Sequence, residues 1–121
     1  MIGLNMTIGQ ISNLKNHPEL FDQTIELIEK SFGYDENESF IVDFFPLMEK
    51  NNCGNDFILH ENGKVLGHVG VKIREIGNSE IKLKVALIGG VAISEEYRGK
   101  GLLKRILEEV FKKFESKVGI F

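Results

Sequence analysis

The sequence of 121 residues is poor in residues that build cross-links and rigid turns. It has one cysteine, Cys53, two prolines and no tryptophan. A single cysteine excludes an internal disulfide and a zinc cluster made of thiolates, and it fits a reducing compartment. We therefore expect a fold that depends on an ordinary apolar core, without a metal.

Long apolar runs and an excess of positive charge are also missing. No segment approaches the roughly 18 apolar residues of a membrane span, and the first residues lack a basic segment followed by an apolar core. The 15 basic and 18 acidic residues give a net charge of −3, which offers no general attraction to nucleic acid. We expect a cytoplasmic protein that binds neither membranes nor nucleic acid.

What the chain does contain fits one α/β domain, which we expect to span residues 1–121. Apolar residues recur every three or four positions between Pro18 and Gly33, which predicts a first helix. A second helix is predicted over residues 39–50, kinked or shortened by Pro46.

Three extended segments follow, separated by two turns. The Asn62–Gly63 pair predicts a tight hairpin, and residues 77–79 predict the next reversal. In the middle strand the odd-numbered residues 65–73 are expected to share one face, with His68 on an opposite, wetter face. Two more strands are expected at residues 6–11 and 118–121.

The third strand and the last helix are joined by the most informative segment of the chain, residues 88–101. Beyond Leu87 the strand becomes apolar on both faces and carries the Gly89–Gly90 pair, which predicts burial and a bulge. An amphipathic helix is predicted over residues 102–114.

This junction has the properties of a phosphate-binding loop. The first amides of a helix lack intrahelical acceptors and carry the positive end of the helix dipole. Glycines at positions 99 and 101 let an anion approach these amides, and Arg98 and Lys100 add positive charge. The segment therefore predicts an anion site at the start of the last helix.

Two other phosphate-binding motifs do not match this segment, each because of one residue. A dinucleotide fingerprint needs a third glycine where Lys104 stands, and a P-loop needs Ser or Thr where Gly101 follows Lys100. A solvated turn without function stays open as the alternative, because short motifs also match by chance.

Arg98-Gly99-Lys100-Gly101 behind Val91-Ala92-Ile93 resembles the acyl-CoA pyrophosphate loop of the GNAT N-acyltransferases. The family pattern is Gln or Arg, two variable residues, Gly, one variable residue, then Gly or Ala. This sequence departs from the pattern at Leu103, whose larger side chain affects the expected ligand affinity rather than the expected fold. The resemblance implies that the strand residues Val91, Ala92 and Ile93 bind the pantetheine arm. It places the pyrophosphate at the turn made of Arg98, Gly99, Lys100, Gly101, Leu102, Leu103 and Lys104.

The order of elements is similar to the first two thirds of the GNAT fold. The resemblance implies an α/β protein of the α+β type, with a mixed, mostly antiparallel sheet and helices on both faces. Family members continue with a helix and two more strands, so the C-terminal part is expected to be missing after Phe121. An uncovered sheet edge there predicts a homo-oligomer that forms through this edge.

The resemblance implies an N-acetyltransferase that moves an acetyl or other acyl group from acetyl-CoA to an amine by direct attack in a ternary complex. The acceptor would be an amine-bearing small molecule or a protein. The alternative is a non-catalytic module of the same fold that binds CoA or a protein partner. Leu103 and the missing C-terminal part favour this alternative. A third reading is a domain that binds another phosphate-bearing ligand.

The sequence assigns no catalytic base, although the amine must lose a proton near the thioester. His68 could reach a cleft from the wetter strand face, but a hydrogen-bonded structural role is favoured. Glu95 and Glu96 lie beside the loop, where helix capping or contact with solvent is favoured. These three residues are the candidates for the base.

Overall fold

Two tight turns fold residues 56–93 into a three-stranded meander. Asn62 and Gly63 have φ angles of 51° and 79°, in the left-handed region that this turn needs, and they join β2 (Asp56–Glu61) to β3 (Lys64–Gly77). In the second turn the Asn78 side chain accepts hydrogen bonds from the backbone N–H groups of Glu80 and Ile81, and β4 (Lys82–Ile93) follows. Both predicted reversals are confirmed.

A further strand, β1 (Gln10–Asn13), completes an antiparallel sheet in the order β1-β2-β3-β4. This computed structural model describes residues 8–118. The predicted strand at residues 118–121, apart from Val118, and the first part of the strand at residues 6–11 lie outside that range. Association through the C-terminal edge therefore stays a prediction.

The two predicted helices between β1 and β2 have different outcomes. Helix α1 (Phe21–Phe32) ends as predicted, since Gly33 takes a φ of 71° and its N–H bonds back to the last turn. The predicted second helix is broken at Phe44 into α2 (Phe40–Asp43) and α3 (Phe45–Met48). Proline has no N–H to donate, so Pro46 is tolerated in the first turn of α3 and not in the middle of a longer helix.

Helices cover both faces of the sheet, as predicted. Helices α1 to α3 pack on one face, around a core that includes Ile28, Phe40 and Ile58. Helix α4 (Leu102–Phe114) packs on the other face, where Ile106 and the rest of its apolar stripe meet β2, β3 and β4. Within residues 8–118, no helix is both long and apolar enough to cross a membrane.

A bulge in β3 overturns the predicted strand faces. His60 pairs with Val65 but Leu59 pairs with Gly67, so Leu66 is an extra residue in the ladder. Val65 therefore packs with the α1 side of the core, whereas Val69 and Val71 pack with the α4 side. The wetter face predicted for this strand is wrong at His68, because helices on both faces bury all of residues 65–71.

The burial predicted for β4 beyond Leu87 is correct only in part. Ile88 is exposed, with 37% of its surface accessible, whereas Gly90 and Ala92 are buried. Within the described sheet β4 is an edge strand, and Leu87 and Ile88 directly before its bulge are exposed, whereas Val85 and Ala86 further back are buried.

Candidate functional site

A groove of about 470 Å³ lies between the end of α1, the end of β4 and the start of α4. Eight of the ten residues predicted to bind CoA line it, and the two that do not are the exposed Lys100 and Lys104. Ser31 and Phe32 form the wall on the α1 side. The sequence did not place these two residues beside the loop, because helix periodicity does not tell where a helix lies on a sheet.

The loop between β4 and α4 is shaped by two glycines. Gly99 and Gly101 have φ angles of 78° and 77°, and a Cβ atom at either position would meet nothing within 4 Å. The backbone angles therefore favour glycine while the space above both residues stays open. Arg98 Nε donates a hydrogen bond to the Ile93 carbonyl at 3.1 Å, which ties the loop to the end of β4.

The first turn of α4 has backbone amides that are free to bind an anion. No side chain caps the helix, and its first turn contains no acidic residue. Arg105 N–H donates to the Gly101 carbonyl at 3.2 Å, so the amides of residues 102–104 precede the first intrahelical bond. The helix dipole adds positive potential at this point, where a phosphate group would be stabilised.

The predicted bulge in β4 is confirmed at the groove. His68 pairs with Ala92 and Gly70 pairs with Gly89, so Gly90 and Val91 both lie opposite a single residue of β3. Gly90 has a φ of 62°, in the left-handed region, and a side chain there would be crowded. A Cβ atom there would lie 3.0 Å from His68 Cε1 and 3.1 Å from Phe40 Cζ.

His68 lies behind this bulge and is fully buried. The sequence predicts it on a wetter face of the strand. Its Nδ1 lies 2.6 Å from the Gly90 carbonyl oxygen and its Nε2 lies 3.1 Å from Asp56 Oδ1. With both nitrogens engaged and no exposed surface, His68 has no direct path to an amine in the groove. The structural role favoured by the sequence fits this arrangement.

Asp56 is the partner that the sequence reasoning missed. Its side chain is as fully buried as that of His68. Burial raises the pKa of Asp56 above its ordinary value, and the hydrogen bond and charge interaction with His68 oppose that shift.

Glu95 and Glu96 are exposed in the short turn before the loop, and neither caps α4. Glu96 Oε1 accepts a hydrogen bond from Lys64 Nζ at 3.0 Å, which raises the pKa of the lysine. The pair is largely exposed, so it contributes little to stability. Both carboxylates line a second hollow of about 550 Å³ that shares Arg98 with the groove.

An aromatic ridge packs against the bulge on the α1 side of the sheet. The rings of Phe32 and Phe44 flank the buried ring of Phe40, with centroids at 5.7 and 4.8 Å. Phe32 lines the groove, whereas Phe44 lines a smaller hollow of about 270 Å³ next to Gly89. Among residues 8–118, no group of three His, Cys, Asp or Glu side chains is placed to hold a metal ion.

Residues 13–120 match the family described as the acetyltransferase (GNAT) domain. Because that match covers most of the sequence, the chain belongs to this family. Among curated proteins, no sequence matches the chain.

Solved structures share the fold at low sequence identity. A probable N-acyltransferase from Enterococcus faecalis V583 is 17% identical with a TM-score of 0.71, over 92% of this chain and 27% of that one. Glucosamine-6-phosphate N-acetyltransferase from Arabidopsis thaliana is 18% identical with a TM-score of 0.61, over 93% and 79%. An aminoglycoside acetyltransferase from an uncultured soil metagenomic sample is 20% identical with a TM-score of 0.69, over 93% and 74%. The chain thus spans about a quarter of the length of the E. faecalis protein.

Proposed function

We propose that this domain transfers an acetyl or other acyl group from acyl-CoA to an amine, by direct attack within a ternary complex. The observation that carries the proposal is the groove, where the bulge of β4 and the uncapped start of α4 meet. Membership of the GNAT family supports acyl transfer as the reaction class.

The start of α4 fits the diphosphate of CoA. The amides of residues 102–104 face outward from the helix end without intrahelical acceptors, and the glycines before them leave open space. Leu103, which departs from the family pattern, is half-buried and packs partly against the core beneath α4. Part of its bulk is therefore directed away from the groove that it also lines.

The end of β4 fits the acyl end of the ligand. When bound, acyl-CoA supplies the thioester carbon that the amine attacks. The backbone N–H groups of Val91 and Ile93, at the free edge of β4 beside the bulge, would stabilise the negative charge that develops on the carbonyl oxygen. Glu95 or Glu96 would accept the amine proton directly or through water, a role that stays a prediction.

A CoA melting-shift experiment tests the ligand site. At a CoA concentration about a hundred times its Kd, binding should stabilise the protein by about 2.7 kcal/mol. The double variant Arg98→Ala, Lys100→Ala should lose most of the shift. A matched control, Lys84→Ala with Lys112→Ala, removes the same charge at exposed positions away from the groove. Equal shifts in all three proteins would contradict the proposed site.

Thiol release from acetyl-CoA with a panel of amines tests the reaction. We expect release that depends on both the thioester and the amine. Tight CoA binding without release would instead support a non-catalytic module, which Leu103 in the place of Gly or Ala favours. A melting shift with another nucleotide but not with CoA would support the third reading.

A further inference from the structure

Behind the groove, three groups form a buried hydrogen-bonded chain from β4 through β3 to β2. The Gly90 carbonyl oxygen lies 2.6 Å from His68 Nδ1, and His68 Nε2 lies 3.1 Å from Asp56 Oδ1. Both side chains have 0% of their surface exposed. Burying a polar group costs free energy unless the group is hydrogen-bonded. These three groups are away from solvent, so they have to supply hydrogen bonds to one another.

The Gly90 carbonyl fixes the proton on one nitrogen of His68. A carbonyl oxygen can only accept, so the short contact requires a hydrogen on Nδ1. A second proton then lies between Nε2 and Asp56 Oδ1, because without it two lone pairs would face each other at 3.1 Å. Whichever atom carries that proton, the pair has no net charge, as full burial favours.

Asp56 itself favours the protonated form. Its other oxygen, Oδ2, has no hydrogen-bond partner among the described residues, which is costly for an ionised carboxylate. Burial also raises the pKa of this carboxyl, against the opposing effect of His68. The unpartnered Oδ2 and the burial of Asp56 both favour a neutral acid that donates to Nε2 of His68.

The contact with His68 determines the direction of the next amide. A peptide unit is planar and trans, so the Val91 N–H points opposite to the Gly90 carbonyl. Ser94 N–H donates to the Leu66 carbonyl at 2.8 Å, so by alternation the backbone groups of Ala92 face β3 and those of Val91 face the free edge of β4. Val91 also lines the groove.

We infer that Asp56 and His68 are positioning residues that hold the Gly90–Val91 peptide with the Val91 N–H directed at the acyl-CoA groove. The inference rests on the proposed acyl transfer. In that reaction negative charge develops on the carbonyl oxygen of the thioester, and the Val91 N–H would stabilise it. A donor serves such a charge best when its direction is fixed before the reaction.

Nitrogen NMR of the imidazole tests the proton arrangement without any substrate. In the wild-type protein we expect a hydrogen on Nδ1 of His68. In Asp56→Asn the amide N–H should replace the acid as donor to Nε2, so Nδ1 should keep its hydrogen. The Gly90 and Val91 backbone resonances should shift in His68→Leu and stay near their wild-type positions in Asp56→Asn. A bare Nδ1, or unshifted resonances in His68→Leu, would overturn the inference.

Steady-state kinetics test the consequence for acyl transfer. His68→Leu should lower kcat about tenfold or more, since loss of one such donor costs about a hundredfold to a thousandfold. KM for acyl-CoA should stay within about threefold because the diphosphate contacts are unchanged. Asp56→Asn should retain most of the wild-type kcat.

A stability control separates positioning from general weakening of the fold. Val71→Ala empties a fully buried position of β3 on the α4 side of the core, and it should lower the melting temperature with little change in kcat. An equal loss of kcat in this variant would overturn the inference. If the wild-type protein releases no thiol, the proposed function fails, while the NMR results still decide whether His68 holds the peptide.

Discussion

Glycines of two kinds lie at the groove, two in its lining and one directly before the lining residue Val91. Gly90, at the bulge, has a left-handed φ and is enclosed by His68 and Phe40, so both its backbone angle and the space around it favour glycine. Gly99 and Gly101, in the loop, have left-handed φ angles but open surroundings. The bulge is held by the core of the protein, whereas the loop leaves its amides for a ligand.

This difference gives the two ends of the proposed site different properties. The acyl end is fixed in advance, because Asp56 and His68 hold the bulge from the inside of the fold. The diphosphate end lacks a capping side chain, so an anion would supply the acceptors that the first turn of α4 needs. Mutations at the bulge should therefore affect folding first, and mutations in the loop should affect binding first.

Gly90→Ala should show the largest effect on stability. The new Cβ would combine a strained backbone, at about 1–3 kcal/mol, with overpacking of similar size, so we expect a loss of about 2–4 kcal/mol in the free energy of unfolding. Urea denaturation measures this loss. Gly89→Ala is the matched control, since its Cβ would make an ordinary contact of 3.4 Å with Leu47. Similar losses in both variants would remove the distinction between the two kinds of glycine.

Gly101→Ala should separate stability from binding. With open space around it, the new methyl group should lower the free energy of unfolding only by the backbone strain, about 1–2 kcal/mol. CoA affinity should fall as well, because Gly101 lines the groove directly before the uncapped amides and the methyl group would occupy part of that open space. Gly63→Ala carries the same strain in the β2–β3 turn, at a residue that does not line the groove, and should leave CoA affinity unchanged. Calorimetric titration with CoA would contradict the idea if both variants bound equally.

The sequence predicts the loop well because its signals are local. Glycines at the left-handed positions and an apolar stripe that begins at Leu102 lie within a few residues of each other. The Asn62–Gly63 turn and the end of α1 at Gly33 are local in the same sense. The wall made by Ser31 and Phe32 is different, because it depends on how α1 packs across β3 and β4.

The Asp56–His68 pair could not be predicted, because a single bulge changes which side chains share a face. Counting back from the Asn62–Gly63 turn pairs Glu61 with Lys64 and would pair Phe57 with His68. Asp56 would then lie on the face opposite to His68. The extra residue in β3 instead pairs Ile58 with His68 and brings Asp56 to the same face. The one local signal of this bulge is Gly67, directly after Leu66, and a glycine inside a strand marks either a bulge or a close backbone approach without distinguishing the two.

Leu103→Ala should give the smallest effect and tests the loop at its departure from the family pattern. The side chain is half-buried against the core below α4, so its removal should lower the free energy of unfolding by about 1 kcal/mol, less than a fully buried leucine would. The groove should become wider at the diphosphate, and CoA should bind about two- to threefold more tightly, a gain of about 0.5 kcal/mol.

Leu107→Ala is the control for this change, because Leu107 packs against the same core one turn further along α4 and does not line the groove. It should lower stability by a similar amount and leave CoA affinity unchanged in the same titration. Weaker CoA binding in Leu103→Ala would mean that the leucine supports the loop instead of crowding it. In that case the loop would share the property of the bulge, in which contacts with the core hold the backbone that faces the ligand.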